Sequence, residues 1–137
     1  MRRLARKEIP EGVAKVVQRA STIIAETVID GTPVDTTLHV SNWRASVGTP
    51  ATWEVPALIP GRSGSSASAS RALAKSSARR IIRSYRGGSV VHITNNAPVI
   101  ESLNNGAASR QGGHFVENAL NRVNIYVRNT DLDLPEA

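Results

Sequence analysis

The sequence contains no cysteine, which excludes disulfide bonds, thiolate metal sites and cysteine nucleophiles. It also lacks long apolar runs, and none approaches the roughly 20 residues that a membrane-spanning helix requires. The N-terminus is basic, but no apolar stretch of the signal-peptide type follows it. We therefore expect a soluble protein that is made in the cytoplasm and has no membrane partner.

Large aromatic side chains are scarce, with one Phe, two Trp and two Tyr in 137 residues. A chain of this length usually folds as one domain and buries about two-thirds of the surface that its unfolded form exposes. We predict a single domain over residues 1–137, with a basic N-terminal tail at 1–7, a long loop at 49–70 and an acidic C-terminal tail at 129–137. A core with so few aromatic residues suggests that partner subunits contribute to stability.

The charge is unevenly distributed. The formal net charge is +6, from 17 Lys and Arg residues against 11 Asp and Glu residues. Basic residues concentrate in Arg2–Lys7 and Arg71–Arg86, whereas Asp131, Asp133 and Glu136 make the acidic tail. A basic balance favours contact with polyanions. Opposite charges at separate places also suit head-to-tail contact between identical subunits, so both interpretations stay open.

The first half of the chain predicts a long helix followed by a strand. Apolar residues recur at spacings of three and four over Glu8–Ile29, with Pro10 in the first turn and Gly31 as a left-handed cap. Thr36–Val47 is rich in β-branched residues and is predicted as a strand, with a second extended piece at Thr52–Leu58. Gly61–Ser70 is rich in Gly and Ser and is typical of a flexible loop.

A second helix is predicted over Ser68–Arg86. One row of this helix is apolar, and a basic row lies two positions out of step, about 200° around the axis. The apolar row is Leu73, Ser77, Ile81 and Tyr85, supported by Ala74, Ala78 and Ile82. The basic row is Arg71, Lys75, Arg79 and Arg83. This row is the candidate subunit-interface or polyanion-facing site, with a solvated helix face as the simpler interpretation.

The rest of the chain predicts shorter elements. A strand at Ser89–Asn95 and a helical turn at Val99–Leu103 precede a helix at His114–Val123 and a last strand at Asn124–Arg128.

The titratable residues do not form a catalytic pattern. His39, His92 and His114 have no second ligand at metal-binding spacing, and Glu101 and Glu117 are isolated carboxylates. The glycine-containing segments lack the spacing and the following Lys of a phosphate loop. We expect no catalytic, cofactor-binding or metal-binding residues, and a protein that is not an enzyme.

Four segments, taken in order, resemble a known family. They are Thr32-Pro33-Val34-Asp35-Thr36, then Ser41-Asn42-Trp43-Arg44-Ala45-Ser46-Val47-Gly48, then Ile93-Thr94-Asn95-Asn96-Ala97-Pro98, and Ser109-Arg110-Gln111 followed by Gly113, Phe115 and Val116. Together with Glu101, Leu103 and Gly106, these segments are similar to the neck or tail-completion proteins of tailed bacteriophages. The matches extend from Glu8 to Val123. Thr37 stands where the family pattern has Gly, Val99 where it has Tyr, and Gly112 near its Ala-Pro.

The resemblance implies an α+β fold: a small twisted, mainly antiparallel sheet with a long N-terminal helix and a second helix packed on it. It also implies a structural virion protein. Subunits of this family assemble as a ring, usually six-fold, at the head–tail junction, where the ring joins connector to tail and lets the genome pass. The implied partners are other copies of the chain, connector or adaptor proteins and tail proteins, without specific DNA binding. A tail-terminator ring and a small basic nucleic-acid-binding protein are the alternatives.

Trp43 is predicted to pack against the first helix, sharing its strand face with Ala45 and Val47.

Overall fold

The computed structural model describes residues 2–33, 37–60, 65–106 and 113–130, with side chains from residue 12 onward. The elements in chain order are α1 (Arg2–Gly31), α2 (Leu38–Ser41), β1 (Trp43–Val47), α3 (Ala67–Arg83), β2 (Val91–Asn95), α4 (Ile100–Asn104) and α5 (Phe115–Asn129). β1 and β2 form an antiparallel pair, and α1 and α3 pack on it. The predicted α+β class with a long N-terminal helix is confirmed.

Helix α1 is longer than predicted at both ends. It includes the segment predicted as a basic tail, where Leu, Ala, Arg and Lys are all good helix formers. Gly31 ends the helix but has no positive φ, so the predicted left-handed cap is wrong. A side chain there would place its Cβ 2.7 Å from Cβ of Phe115. Glycine is therefore required because α5 packs directly against this turn of α1.

The predicted strand Thr36–Val47 is correct only in its second half. Leu38–Ser41 is a helical turn, which follows Thr37 at φ 66°. Strand β1 begins at Trp43 and pairs with β2 in the register Trp43↔Asn95 to Val47↔Val91. The β2 prediction at Ser89–Asn95 and the helical turn near Val99–Leu103 are confirmed by β2 and α4.

One other strand prediction is wrong. Asn124–Arg128 continues α5, because Phe115, Ala119 and Tyr126 give that segment one inward helical face instead of strand alternation. The stretch Thr52–Leu58 is irregular, and side chains of neighbouring segments hold it. Of the predicted flexible loop, residues 61–64 lie outside the described residues, and Ala67–Ser70 is the first turn of α3.

The core consists of two apolar clusters between the helices and the sheet. The larger contains Val28, Ile29, Val40, Trp43, Ala74, Phe115 and Ala119, and the smaller Ala25, Ala78 and Ile82. Helix α3 buries Ser70, Ala74, Ala78 and Ile82, one position out of step with the predicted apolar row, so Leu73 is exposed. Small alanines face inward because they let α3 approach α1 and β1 closely.

We predict that Val99→Asn stabilises the protein by about 0.5–1 kcal/mol. Val99 has φ 57°, a left-handed conformation that disfavours β-branched residues and that Asn tolerates. Its side chain is 62% exposed, so little packing is lost. Val90 is the matched control, because it is similarly exposed but lies outside the left-handed region. Thermal unfolding should show a higher midpoint for Val99→Asn and no rise for Val90→Asn. Equal shifts in the two variants would contradict the strain argument.

Candidate interaction surface

The three histidines make separate local contacts. Nε2 of His39 lies 3.0 Å from the Pro98 carbonyl oxygen, and Nε2 of His92 lies 3.1 Å from that of Gly48. Nδ1 of His114 lies 3.4 Å from the Glu117 carboxylate. Across the described ranges, no three His, Cys, Asp or Glu side chains are placed to hold a metal ion.

Glu101 and Glu117, the two carboxylates singled out in the sequence, have different surroundings. Glu117 accepts hydrogen bonds from Nδ2 of Asn104 at 3.0 and 3.2 Å, and this contact, more than the nearby His114, lowers the pKa of Glu117. Glu101 lines a cavity of ≈ 280 Å³ between α4 and α5, together with Trp43, Asn95 and Phe115. Glu101 is the only titratable group among the described residues that line this cavity. The pair therefore offers no acid–base arrangement.

The motif residues converge on one buried junction. The hydroxyl of Thr32 donates to the Val28 carbonyl at 2.5 Å and accepts the indole N–H of Trp43 at 2.7 Å. The Trp43 ring, 8% exposed, meets Phe115 edge to face with centroids 5.9 Å apart. The predicted packing of Trp43 on α1 is therefore confirmed. Ala45 shares this face against the smaller cluster, whereas Val47 is exposed.

The side chain of Asn42 hydrogen-bonds to the backbone of the irregular segment that follows β1, which has no neighbouring strand in the described chain. The Asn42 amide donates to the Val55 carbonyl at 2.8 Å and accepts the Val55 N–H at 2.8 Å. The same amide donates to Leu38, and the Ser41 hydroxyl accepts the Leu58 N–H at 2.9 Å. The motif thus satisfies backbone groups of residues 55–58 that have no ladder of their own.

Two further asparagines make connecting hydrogen bonds: Asn95 joins β2 to α2, and Asn104 caps α5. Asn95 donates to the His39 carbonyl at 2.7 Å, so β2 is tied to α2. Asn104 accepts the Val116 N–H at 3.0 Å and thereby caps α5, whose own N-cap residue makes no side-chain cap bond. Sequence reasoning missed the role of Asn104, because a capping residue from another element leaves no local spacing signal.

The basic row of α3 turns toward α1. Nη2 of Arg71 donates to the Thr32 carbonyl at 3.2 Å, Nζ of Lys75 lies 2.5 Å from the Asp30 carboxylate, and Nε of Arg79 lies 2.8 Å from that of Glu26. Of the four predicted residues, only Arg83 is exposed and outside these contacts. The sequence placed this row opposite the core, and the one-position rotation of α3 moves it beside α1 instead.

Apolar side chains remain exposed on α5. Leu120, Ile125 and Val127 are 50%, 60% and 42% exposed. Leu120 and Val127 are seven residues apart and lie on one stripe, here named the α5 stripe. Helix α5 packs on α1, and it scarcely touches α3. The α5 stripe is therefore separate from the surface formed by α3 and the sheet.

The second exposed region lies beside β1. Trp53 is 62% exposed and covers Arg44, with the guanidinium carbon 5.0 Å from the ring centroid. Nη2 of Arg44 also donates to the Trp53 carbonyl. Burial lowers the pKa of Arg44 from its ordinary value, although the group stays charged at neutral pH. A cleft of ≈ 300 Å³ lies here, between β1, Trp53 and α3. We call it the β1 slot.

We predict that Trp43→Ala destabilises the protein by about 3–5 kcal/mol, since it removes a large buried aromatic side chain. It also leaves the Thr32 hydroxyl without its indole donor. Trp53→Ala is the matched control, and it should cost less than about 1 kcal/mol because it removes an exposed ring and one cation–π contact. Urea unfolding would measure both. Similar urea midpoints for the two variants would contradict the prediction that the junction at Trp43 is a main source of stability.

We predict that Arg79→Glu lowers the free energy of unfolding by about 1 kcal/mol, because it replaces an ion pair with two facing carboxylates. Exchanging the charges with Glu26→Arg in the same chain should recover most of the loss. Arg83→Glu should have no effect on stability, since Arg83 has no such partner among the described residues. Urea midpoints at low and high salt would check this, because added salt should shrink the difference.

In the part of the chain that the structure describes, no helix combines the length and apolar character needed to cross a membrane. Comparisons with protein-family models, with curated proteins and with solved structures find no match to this chain. The resemblance to phage neck and tail-completion proteins therefore depends on the motif residues alone. Of the motif residues that the structure describes, Thr32, Trp43 and Phe115 build the junction.

Proposed function

We propose that this chain is a structural subunit of a tailed-phage particle, a neck or tail-completion protein that works in a ring at the head–tail junction. The ring joins connector to tail and leaves a passage for the genome. It needs no bound cofactor and no catalytic residue. Its partners are other copies of the chain and the phage proteins above and below the ring.

The main observation that supports this proposal is that four of the motif residues make hydrogen bonds that hold the fold together. Thr32, Asn42, Trp43 and Asn95 hydrogen-bond to one another's segments and fasten α1, α2, β1 and β2 into one unit. A motif retained for catalysis would place polar groups in a cleft. Here the side-chain hydrogen-bonding groups of these four residues are used in internal contacts, as expected for a rigid structural subunit.

The surfaces left over suit a ring. Heterologous contacts close into a cycle only when a subunit carries two different patches that fit each other. The α5 stripe and the β1 slot are two different patches available for such contacts: the stripe carries the aliphatic side chains of Leu120 and Val127, and the slot has mainly apolar walls that also include Arg44 and Arg80. Helix α5, which carries the stripe, packs on α1 and scarcely touches α3, which lines the slot.

The placement of the basic row weighs against the nucleic-acid alternative. Three of its four residues are committed to α1, so the row does not present four adjacent charges to a phosphate backbone. A tail-terminator ring uses the same subunit properties, and it differs from a neck ring only in which proteins lie on either side. Binding to purified connector or to tail tube would distinguish the two.

We predict that the purified protein forms a closed oligomer that persists at moderate salt. Native mass measurement and sedimentation would give its subunit number. Replacing Leu120 and Val127 by Glu should dissociate it, because two carboxylates would enter an apolar contact. Asn121→Glu with Ile125→Glu is the matched control, because both residues are exposed and lie about 100–140° around the same helix from Leu120, and it should leave the oligomer intact.

The same samples should be titrated with duplex DNA over a salt series. A ring subunit should show weak binding that disappears near physiological salt, whereas its mass stays constant. A monomer that binds duplex tightly, and loses that binding when Arg80 and Arg83 are changed to Glu, would favour the nucleic-acid function instead.

A further inference from the structure

The outer edge of β1 carries backbone groups that the sheet leaves unpaired. The Gly48 N–H donates to the Val90 carbonyl at 2.8 Å, which continues the ladder register and makes 48 and 90 a hydrogen-bonded pair. Such pairs alternate in an antiparallel ladder, so Arg44 and Ser46 bond to β2. The N–H and C=O groups of Trp43, Ala45 and Val47 therefore point away from β2. No hydrogen bond from these groups to the described residues is present.

The β1 slot lies along this unpaired edge. Its lining includes Trp43 and Ala45 from β1, Trp53 on one side, and Ser77, Arg80 and Ile81 of α3 on the other. Ser77 and Arg79 are two positions apart on α3, so the slot and α1 lie on nearly opposite sides of that helix. An exposed edge between two walls is the arrangement that accepts an added strand.

The polar face of β1 has donors without partners. Nε of Arg44 and the hydroxyl of Ser46 are buried and make no hydrogen bond to the described residues. They are two residues apart and therefore lie on the same side of the strand. On the other side, Ala45 and Ile81 offer apolar surface. A strand that fits must carry acidic groups on one face and apolar groups on the other, with a spacing of two.

One segment of this chain has that pattern. Residues 131–134 read Asp-Leu-Asp-Leu and follow directly on the end of α5. In an extended strand both carboxylates lie on one side and both leucines on the other. Asp131 and Asp133 match the spacing of Arg44 and Ser46. Leu132 and Leu134 match the apolar side.

The geometry excludes the chain's own segment as the occupant. Phe115 meets Gly31 and Arg122 lies near Thr27, so α5 runs antiparallel to α1 and leaves the junction. Helices α1 and α3 then separate its end from the slot, and each helix spacing is about 8–10 Å. The step from Thr130 to Asp131 spans only about 3.8 Å. A strand at 131–134 in the slot must come from another molecule.

We propose that the outer edge of β1 pairs with residues 131–134 of a second copy of this chain, which adds a third strand to the sheet. The carboxylates of the incoming strand take the free donors of Arg44 and Ser46, and its leucines cover Ala45 and Ile81. The inference rests on the proposed ring, since each subunit donates one strand and receives another. It names the contact that closes the cycle.

Cysteine trapping tests this contact directly, because the chain has no native cysteine. Full-length Ser77→Cys and Leu132→Cys proteins are mixed, assembled and treated with a short bismaleimide. We expect a covalent dimer that contains one chain of each kind. Asn121→Cys in place of Ser77→Cys is the control, because it lies on exposed α5, and it should give roughly tenfold less dimer. Equal yields for the two pairings would overturn the proposal.

The opposite edge of the sheet supplies a second control. Val47 and Val91 face each other in the ladder, and the N–H of each points to its own outer edge. Proline at either position removes one outward donor and no ladder bond. In the trapping pair, Val47→Pro should reduce the dimer roughly tenfold, whereas Val91→Pro should leave it unchanged. If Val47→Pro prevents folding, the cysteine-trapping experiment with unmodified β1 is the test that decides the proposal.

Three outcomes distinguish a failure of the proposed strand exchange from a failure of the proposed ring. A ring of unchanged mass without the trapped dimer overturns the strand exchange and leaves the proposed function standing. A chain carrying both cysteines, diluted into excess cysteine-free protein, should form no internal link, and efficient internal linking would assign the slot to the chain's own segment. A protein that stays monomeric at every concentration would overturn both.

Discussion

The hydrogen bond from the Trp43 indole to the Thr32 hydroxyl is the contact on which the rest of this structure depends. It joins the end of α1 to the start of β1, and the Trp43 ring then provides the surface on which Phe115 places α5. Because Thr32 also bonds to the Val28 carbonyl, its hydroxyl hydrogen and lone pair are both used. In a chain with five aromatic residues, one buried Trp–Phe contact orients three elements.

Three residues of the described chain adopt an unfavourable backbone conformation. Thr37, Val99 and His114 are non-glycine residues with positive φ, and each stands immediately before a helix. Such conformations cost about 1–3 kcal/mol each and persist only where neighbouring contacts over-determine them. Thr37 offsets part of its cost by donating to the Ile59 carbonyl at 2.8 Å. The position is one where the resembling family has Gly, so this chain combines a strained backbone with a side-chain bond that glycine lacks.

Sequence reasoning predicted the long elements well and the rotation of α3 poorly. The 3.6-residue period identified α1 and α3, and β-branched runs bounded by turns identified the two segments that contain β1 and β2. The error on α3 arose because alanine and serine carry weak hydrophobicity, so the periodicity favoured Leu73 and Ile81 over Ala74 and Ala78. The close approach of α3 to α1 and β1, which small side chains such as Ala74 and Ala78 allow, decided the inward face. A tertiary constraint of that kind is invisible in one helix's pattern.

The same rotation changes what the charges can do. With Arg71, Lys75 and Arg79 drawn to α1, the formal net charge of +6 no longer corresponds to a single cationic face. Arg80, which remains outward on α3, lines the β1 slot together with Arg44. A two-stranded sheet is marginal by itself, and here one of its edges borders both these cations and unpaired backbone. The simplest way to satisfy the backbone, the buried donors and the surplus charge together is an acidic strand supplied by a neighbouring protein.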